Sequence, residues 1–194
     1  MPSAASAPQD NSVTGTRPHA ALVTRTPRLL LRRLDAADAA FMCALLNDEA
    51  FLRHIGDRGV RTVADAARYI VAGPVSSYER FGFGLYLIVL RATSEPIGIC
   101  GPLRRDTLPD ADLGFALLPA YRAQGFAREA AEAVIVHARD DLGLPRLLAV
   151  VTPDNTASIA LLVRLGFRFE RRACVTPGER DLDVYALELS ARHS

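Results

Sequence analysis

The sequence predicts a single α/β domain, and three observations support this fold class. The 194 residues suffice for one well-buried core, and 49% of them are apolar while 23% are charged. Short apolar runs typical of strands alternate with stretches of helical periodicity, which indicates helices packed on a sheet. A glycine-bearing turn at residues 122–127 joins one such run to the most strongly periodic helix.

Composition also limits the partners and the location. Cys43, Cys100 and Cys174 are far apart, so we expect no disulfide framework and a reducing cytoplasm. The formal net charge of +1 predicts no nucleic-acid partner. The chain has no stretch of about 18 apolar residues and no secretory leader pattern, so we expect neither a membrane span nor secretion.

The first part of the chain divides into a tail and the start of the domain. Residues 1–23 are rich in small and polar types and predict a flexible tail, which leaves 24–194 as the domain. The first strand is expected at 29–34, followed by a helix that Asp38 could cap. A capping box of Thr and Asp at positions 62 and 65 predicts a second helix that ends at Gly73-Pro74.

The rest of the chain reads as further strands and two more helices. The expected strands are 85–90, 97–103, 112–118, 147–152, 168–174 and 182–189, and the expected helices are 127–142 and 159–165. The turn between the third of these strands and its helix carries Arg122-Ala123-Gln124-Gly125-Phe126-Ala127. Backbone N–H groups of such a turn, together with a helix N-terminus, favour a bound phosphate. Small residues there also serve simply to let a helix pack closely on a strand, and this interpretation stays open.

Several sequence blocks in a fixed order carry a more specific resemblance. They are Asp112-Leu113-Gly114-Phe115, then Arg122, Gly125, Ala127 and Glu129, then Asn155 with Ser158, and finally Leu165-Gly166-Phe167. Together they resemble the GNAT superfamily of N-acetyltransferases, and most of all its ribosomal-protein N-terminal acetyltransferase (RimJ/RimL-like) branch. The resemblance covers about residues 26–189. It implies a mixed, mostly antiparallel sheet flanked by about four helices, with acetyl-coenzyme A in a gap between the splayed fourth and fifth strands.

The resemblance also implies which residues bind acetyl-coenzyme A as a co-substrate. The pantetheine arm would pair with the backbone as an added strand, the pyrophosphate would lie on the turn, and two polar residues would approach the arm and its sulfur. The residues concerned are Phe115, Ala116, Leu117, Arg122, Ala123, Gln124, Gly125, Phe126, Ala127, Arg128, Asn155 and Ser158. Asn155 and Ser158 equally suit the first turn of a helix, where Asn is a good N-cap.

Catalytic candidates follow from the needs of acyl transfer to an amine. Asp112 stands where many relatives have Glu and is a candidate proton acceptor, although a solvated or substrate-orienting carboxylate is an alternative. Ser158 is a second catalytic candidate, since Leu162 replaces the Tyr that protonates the thiolate in many relatives. Glu179 is a weaker candidate base, and the charged segment 104–110 could border the acceptor site.

The predicted function is transfer of acetyl from acetyl-coenzyme A to a primary amine, by direct attack in a ternary complex. The amine is a protein N-terminus or a small molecule, and a homodimer stays open. The alternative is a catalytically inactive coenzyme A-binding regulatory or interaction module, suggested by Leu162 and the short Asp112. No metal is expected, since the four histidines lack ligand spacing and are assigned to surface or packing roles.

Overall fold

The computed structural model describes residues 21–175 and 180–189, and the strands of this part form one sheet. In chain order they are β1 (Leu22–Arg25), β2 (Leu29–Arg33), β3 (Tyr86–Leu90), β4 (Pro96–Leu103), β5 (Asp112–Leu117), β6 (Arg146–Val151), β7 (Arg168–Ala173) and β8 (Leu182–Glu188). Across the sheet the order is β1-β2-β3-β4-β5-β6-β8-β7. All neighbouring pairs are antiparallel except β5 and β6, which are parallel. The predicted mixed, mostly antiparallel sheet is confirmed.

Helices cover both faces of this sheet. Within the described residues they are α1 (Ala39–Leu46), α2 (Glu49–His54), α3 (Val63–Ile70), α4 (Ser76–Phe81), α5 (Phe126–Asp140) and α6 (Thr156–Arg164). The predicted capping box starts α3, because the Asp65 N–H donates to Thr62 Oγ1 at 3.1 Å and Asp65 Oδ2 accepts from the Thr62 N–H at 2.9 Å. The short helices α2 and α4 come in addition to the four that the sequence predicted.

The expected helix end at Gly73-Pro74 is wrong. Residues Val71–Val75 form a π-helical turn with Pro74 inside it, and the chain continues into α4 as far as Gly82, whose φ is +81°. Proline lacks an N–H and its ring crowds the preceding turn of an α-helix. A single π turn, which is wider than an α turn, contains Pro74 here, so the chain stays helical. The two helices are therefore joined without a loop.

The apolar core lies in two layers, one on each face of the sheet. Side chains of β3 alternate between them: Tyr86 and Ile88 belong to the layer that contains α5, whereas Leu87 and Val89 belong to the layer that contains α1 and α3. Because successive strand residues point to opposite faces, a strand covered on both sides is apolar throughout. The residues that line the gap in the sheet are thereby held between two packed layers.

Strand β1 corrects the predicted start of the domain. Leu22 and Val23 were assigned to the tail, yet they lie in a strand that pairs with β2, and the Arg33 N–H donates to Ala21 O at 3.0 Å. Residues 1–20 lie outside the described residues. Because of this added strand, the fourth and fifth predicted strands are β5 and β6 of the structure. Among the described residues, no helix has the length and apolarity needed to cross a membrane.

Candidate active site

Strands β5 and β6 meet at one end and separate toward the other. Their paired residues are Asp112 and Leu148, next to a hydrogen bond of 2.9 Å from the Leu148 N–H to Ala111 O. Beyond this point a cleft of about 960 Å³ opens, and residues of both strands line it. The sheet therefore contains a gap that side chains of neighbouring elements surround.

The edge of β5 that faces this gap carries free backbone groups. The Leu118 N–H donates to Ile97 O at 2.9 Å, and bonded pairs alternate along an antiparallel ladder. Ala116, which lies opposite Ile99, thus bonds to β4, whereas the backbone groups of Phe115 and Leu117 point toward β6. Of these, Leu117 O already accepts from Arg122 Nε at 3.0 Å. An extended ligand can pair with such an edge as an added strand does.

A loop between β5 and α5 lies at the open end of the cleft. It turns through two residues of left-handed conformation, Ala123 with φ +58° and Gly125 with φ +81°, and α5 starts directly after it. No side chain caps this helix, and its first backbone bond runs from the Glu129 N–H to Gly125 O at 3.0 Å. The N–H groups of residues 125–128 are therefore free for an anion, and the helix dipole favours one.

Not all the predicted turn residues present their side chains to the cleft. Gln124 and Phe126 do not line it: Gln124 Nε2 donates to Ala120 O at 2.7 Å, and Phe126 is buried in the core. The Arg122 N–H donates to Pro119 O at 3.2 Å. The Arg122 guanidinium donates to Leu117 O and to the Asp48 carboxylate. Any anion at this loop would thus be held mainly by the backbone that follows Arg122.

The loop is braced from the connection between β1 and β2. Glu129 of α5 accepts hydrogen bonds from Thr26 Oγ1 at 2.6 Å, from the Arg28 N–H at 2.9 Å and from Arg28 Nε at 2.6 Å. Arg28 also donates to Gln124 O at 3.1 Å and lies 4.3 Å from the centre of the Phe126 ring. Partial burial opposes ionisation of Glu129, but the bonds from Thr26 and Arg28 outweigh it and lower its pKa. The loop conformation therefore depends on a charged cluster that the sequence did not reveal.

Asn155 and Ser158 lie together where α6 meets the cleft. Asn155 is the N-cap residue, since its Oδ1 accepts from the Ser158 N–H at 3.1 Å, and both residues line the cleft. Leu162 lies one turn further on and is 1% exposed. The structure thus brings the two predicted polar residues into the site, with Asn155 also in its capping role.

Asp112 lies at the closed end of the cleft and is almost fully buried, with 1% exposure. Its Oδ1 accepts from Arg105 Nε at 2.9 Å. Burial raises the pKa of this carboxyl, while the charge and hydrogen bond of Arg105 work in the opposite direction. The solvated carboxylate that was one alternative is therefore ruled out, and a buried, paired carboxylate with a raised proton affinity remains.

Helix α2 bridges the two strands across the cleft. Asp48, its N-cap, binds Arg122 beyond the end of β5, and His54, its last residue, has Nδ1 3.1 Å from Oγ1 of the buried Thr152 beyond the end of β6. His54 lines the cleft, contrary to the surface or packing role expected from sequence. No local motif marks it, because its neighbours in the site come from a distant part of the chain.

Cys100 is fully buried in β4, where burial raises the pKa of its thiol, so it is a core residue. Glu179 lies outside the described residues. Within the described residues, no cluster of His, Cys, Asp and Glu side chains is suited to hold a metal ion.

Comparison with known proteins identifies the family. The model of the acetyltransferase (GNAT) domain matches residues 28–168. The uncharacterized N-acetyltransferase p20 of Bacillus licheniformis is 31% identical over 170 residues, which cover 86% of this chain and 95% of that protein.

Solved structures show the same architecture. An acetyltransferase from Agrobacterium tumefaciens superposes with a TM-score of 0.72 at 29% identity, covering 85% of this chain and 93% of that chain. RimL, a ribosomal L7/L12 alpha-N-protein acetyltransferase in complex with coenzyme A, has a TM-score of 0.72 at 18% identity, covering 87% and 98%. The resemblance predicted from the ordered sequence blocks is confirmed, and this chain belongs to the GNAT family of acetyltransferases.

Proposed function

We propose that this protein transfers the acetyl group of acetyl-coenzyme A to a primary amine. The observation that carries the proposal is the cleft between β5 and β6, which combines a free strand edge with an uncapped helix N-terminus at its open end. These two features suit the two chemical parts of the donor, an extended amide-bearing arm and a pyrophosphate. RimL, which shares the fold, is itself described in complex with coenzyme A.

The donor-binding residues follow from this geometry. The N–H groups of residues 125–128 would hold the pyrophosphate, and Arg128 and Arg164, which line the cleft, add positive charge near it. The backbone groups of Phe115 and the Leu117 N–H would pair with the pantetheine arm, with the thioester toward the closed end of the cleft. Ser158 would then approach the sulfur, as the family resemblance implies.

The reaction needs one proton acceptor and one leaving group. The amine nitrogen attacks the thioester carbon, a C–N bond forms, the C–S bond breaks, and the amine proton passes to Asp112, directly or through water. The raised pKa of Asp112 suits this role, because a carboxylate of higher proton affinity is a stronger base. A thiolate whose conjugate thiol has a pKa of about 8.5 leaves readily, so the lack of a Tyr at Leu162 is tolerated.

The acceptor is a primary amine of a peptide N-terminus or a small molecule. RimL is named for acetylating the N-terminus of ribosomal L7/L12, and that relationship slightly favours a peptide here. One specific observation supports the second candidate function, a coenzyme A-binding module without catalysis. Asp112 is buried against Arg105 and Leu162 offers no hydroxyl, so the site lacks an exposed acid or base at these two positions.

One assay separates the two candidates. Purified protein is incubated with acetyl-coenzyme A and a panel of free-amine peptides and small amines, while release of the coenzyme A thiol is followed. We expect thiol release that depends on the amine and matches the amount of acetylated product. Tight binding of acetyl-coenzyme A without amine-dependent release would instead establish the non-catalytic module.

Substitutions then test the assigned roles. Asp112→Asn should lower kcat by at least about 100-fold, as loss of a general base does, and leave the Kd for acetyl-coenzyme A within about twofold. Ser158→Ala should lower kcat by about tenfold. Thr156→Ala, an exposed position on the same helix, is the matched control and should leave kcat unchanged. If neither Asp112→Asn nor Ser158→Ala changes kcat more than about threefold, the catalytic assignments are wrong.

A further inference from the structure

The charges that line the cleft are strongly one-sided. A side pocket of about 220 Å³ shares Tyr69, Leu85, Leu103 and Arg104 with the cleft. Among the described residues that line these two cavities, Asp112 is the sole carboxylate, whereas the arginines are Arg58, Arg80, Arg104, Arg105, Arg122, Arg128 and Arg164. The whole chain is nearly balanced, with 23 basic and 22 acidic residues. The cleft therefore concentrates positive charge that the composition does not predict.

Phosphates of the donor account for only part of this charge. Arg122, Arg128 and Arg164 lie on the loop after β5 and on α5 and α6, beside the proposed pyrophosphate site. The other four arginines come from the opposite side, from the α2–α3 connection, from α4 and from the segment after β4. That segment begins beside the closed end, because Leu103 of β4 pairs with Asp112. A second group of cations thus surrounds the place where the acceptor must enter.

Within this second group, three guanidinium groups have no carboxylate partner among the described residues. Arg105 pairs with Asp112, whereas Arg58 and Arg104 have only carbonyl partners, Ile55 O at 3.3 Å and Pro109 O at 2.8 Å, and Arg80 lies over the Phe81 ring. The carboxylates nearest in sequence do not change this. Asp57 pairs with Arg61, Asp110 pairs with Arg146 at 3.4 Å, and Asp106 is exposed and lines neither cavity.

Tyr69 of α3 adds a hydrogen-bond donor between these charges. It lines both cavities, and no hydrogen bond joins its hydroxyl to any of the described residues. Burial raises the pKa of its phenol, whereas the charges of Arg58 and Arg105 lower it. Arg58 lines the cleft and Arg104 lines both cavities, so a hydroxyl and two cations border the same space, which is a suitable set of donors for an oxyanion.

We propose that the acceptor amine also carries a carboxylate or phosphate group, which Arg58, Arg104 and the Tyr69 hydroxyl bind at the mouth of the side pocket. This inference rests on the proposed acetyl transfer and specifies its acceptor. The bound anion would hold the amine beside Asp112. Amines that carry further positive charge, such as polyamines and lysine-rich peptides, are disfavoured by the same arginines.

Matched acceptors test the inference. The panel contains C-terminally amidated tripeptides with a free N-terminal Ser followed by Glu-Glu, by Gln-Gln or by Lys-Lys, and glutamate beside its diamide. The wild type should show a kcat/KM for the acidic acceptors at least about tenfold above that for the neutral ones. If acidic acceptors are preferred only among the peptides, the anion belongs to a peptide side chain. If they are preferred only among the small amines, the anion belongs to a small molecule.

Variants assign the preference to the residues. Arg104→Gln should lower kcat/KM for the acidic acceptor by about tenfold and change that for the neutral one less than twofold, and Arg58→Gln and Tyr69→Phe should act in the same direction. Arg68→Gln, on the exposed side of α3, is the matched control and should have no effect. Equal losses for acidic and neutral acceptors would show a merely structural role and overturn the inference.

A binding experiment makes the inference independent of turnover. N-acetylated forms of the same peptides cannot react, and their affinity for the protein saturated with coenzyme A is measured by calorimetry. Preferential binding of the acidic peptide without turnover of any acceptor would refute the proposed function and keep the anion site. Turnover without preference for the acidic acceptor would support the proposed function and refute the anion site. Absence of turnover and of preferential binding would refute the function and the site.

Discussion

The two ends of the cleft are built in different ways. The proposed donor end consists mainly of backbone from one continuous stretch, residues 122–128, held in place by Glu129 and its partners. The proposed acceptor end consists of side chains from separate segments, namely Arg58, Tyr69, Arg104 and Asp112. Backbone contacts would bind the constant part of the donor, whereas side chains can differ among proteins and would select the acceptor.

This difference also separates the expected effects of substitutions. A change at the donor end should alter the Kd for acetyl-coenzyme A and spare the acceptor, and a change at the acceptor end should do the opposite. A variant that alters both to a similar extent would show that the two ends are not independent. The predictions below run from the largest expected effect to the smallest.

Gly125→Ala should weaken acetyl-coenzyme A binding by about twentyfold. The φ of +81° is unfavourable for any residue with a Cβ atom, and the added Cβ would lie 3.3 Å from Arg28 Nη2. The loop would have to change conformation, and its N–H groups would no longer converge. Calorimetric titration with acetyl-coenzyme A measures the effect. Gly143→Ala is the control, since Gly143 has φ +63° and open space around it. If both variants weaken binding equally, general loss of stability explains the result.

Glu129→Gln should weaken acetyl-coenzyme A binding by about tenfold, because the charged bonds to Thr26 and Arg28 that brace the loop are lost. The acceptor KM at saturating donor should stay unchanged. Asp65→Asn removes a comparable carboxylate from the capping box of α3, far from the loop, and should not affect donor affinity. Unchanged donor affinity in Glu129→Gln would contradict the bracing role.

The same variant makes a prediction about pH. Because the folded protein lowers the pKa of Glu129 below its ordinary value of 4.5, the ionised side chain stabilises the fold above about pH 4.5. This contribution is lost as the pH falls through the lowered pKa. The difference in free energy of unfolding between wild type and Glu129→Gln should therefore be largest near neutral pH and shrink in acid, as denaturant titrations would show. A difference that is constant down to pH 3 would contradict this account.

His54→Gln should have the smallest effect, a rise of about fivefold in acceptor KM with unchanged donor affinity. Its ring lines the cleft and is held by Thr152 beyond the end of β6, so its loss removes a polar group from the cleft wall without changing the loop at 122–128. His137→Gln is the control, because His137 pairs with Asp141 at 2.6 Å, as His54 does with Asp154 at 3.8 Å, but does not line the cleft. Initial rates at varied acceptor concentration measure both. A changed donor affinity in His54→Gln would contradict this assignment.

The sequence indicated the loop and the helix start that line the cleft far better than the side chains at its closed end. Gly125, Asn155 and Ser158 lie in short motifs, so their spacing alone predicts a loop and a helix start. Asp112 was found because it precedes a recognisable Gly, but its burial against Arg105 depends on how the following loop folds back. His54 carries no local signal, because helix α2 approaches Thr152 only through tertiary packing.

Two segments of the fold differ from the sequence-based prediction because distant contacts determine their structure. The π turn at Val71–Val75 and the strand β1 depend on neighbours distant in sequence, whereas Gly73-Pro74 and a polar tail locally indicate an end and a disordered segment. In both places packing against the rest of the fold outweighs local preference. The strands β3 to β6, by contrast, are apolar enough to be identified from their own residues.

Two-substrate kinetics tests the central claim most directly. Initial rates of thiol release are measured while acetyl-coenzyme A and the best acceptor are both varied. Direct attack in a ternary complex, with both ends of the cleft occupied at once, predicts double-reciprocal lines that intersect. Parallel lines would indicate an acyl-enzyme and contradict direct transfer, and thiol release that does not depend on the amine would contradict acetyl transfer itself.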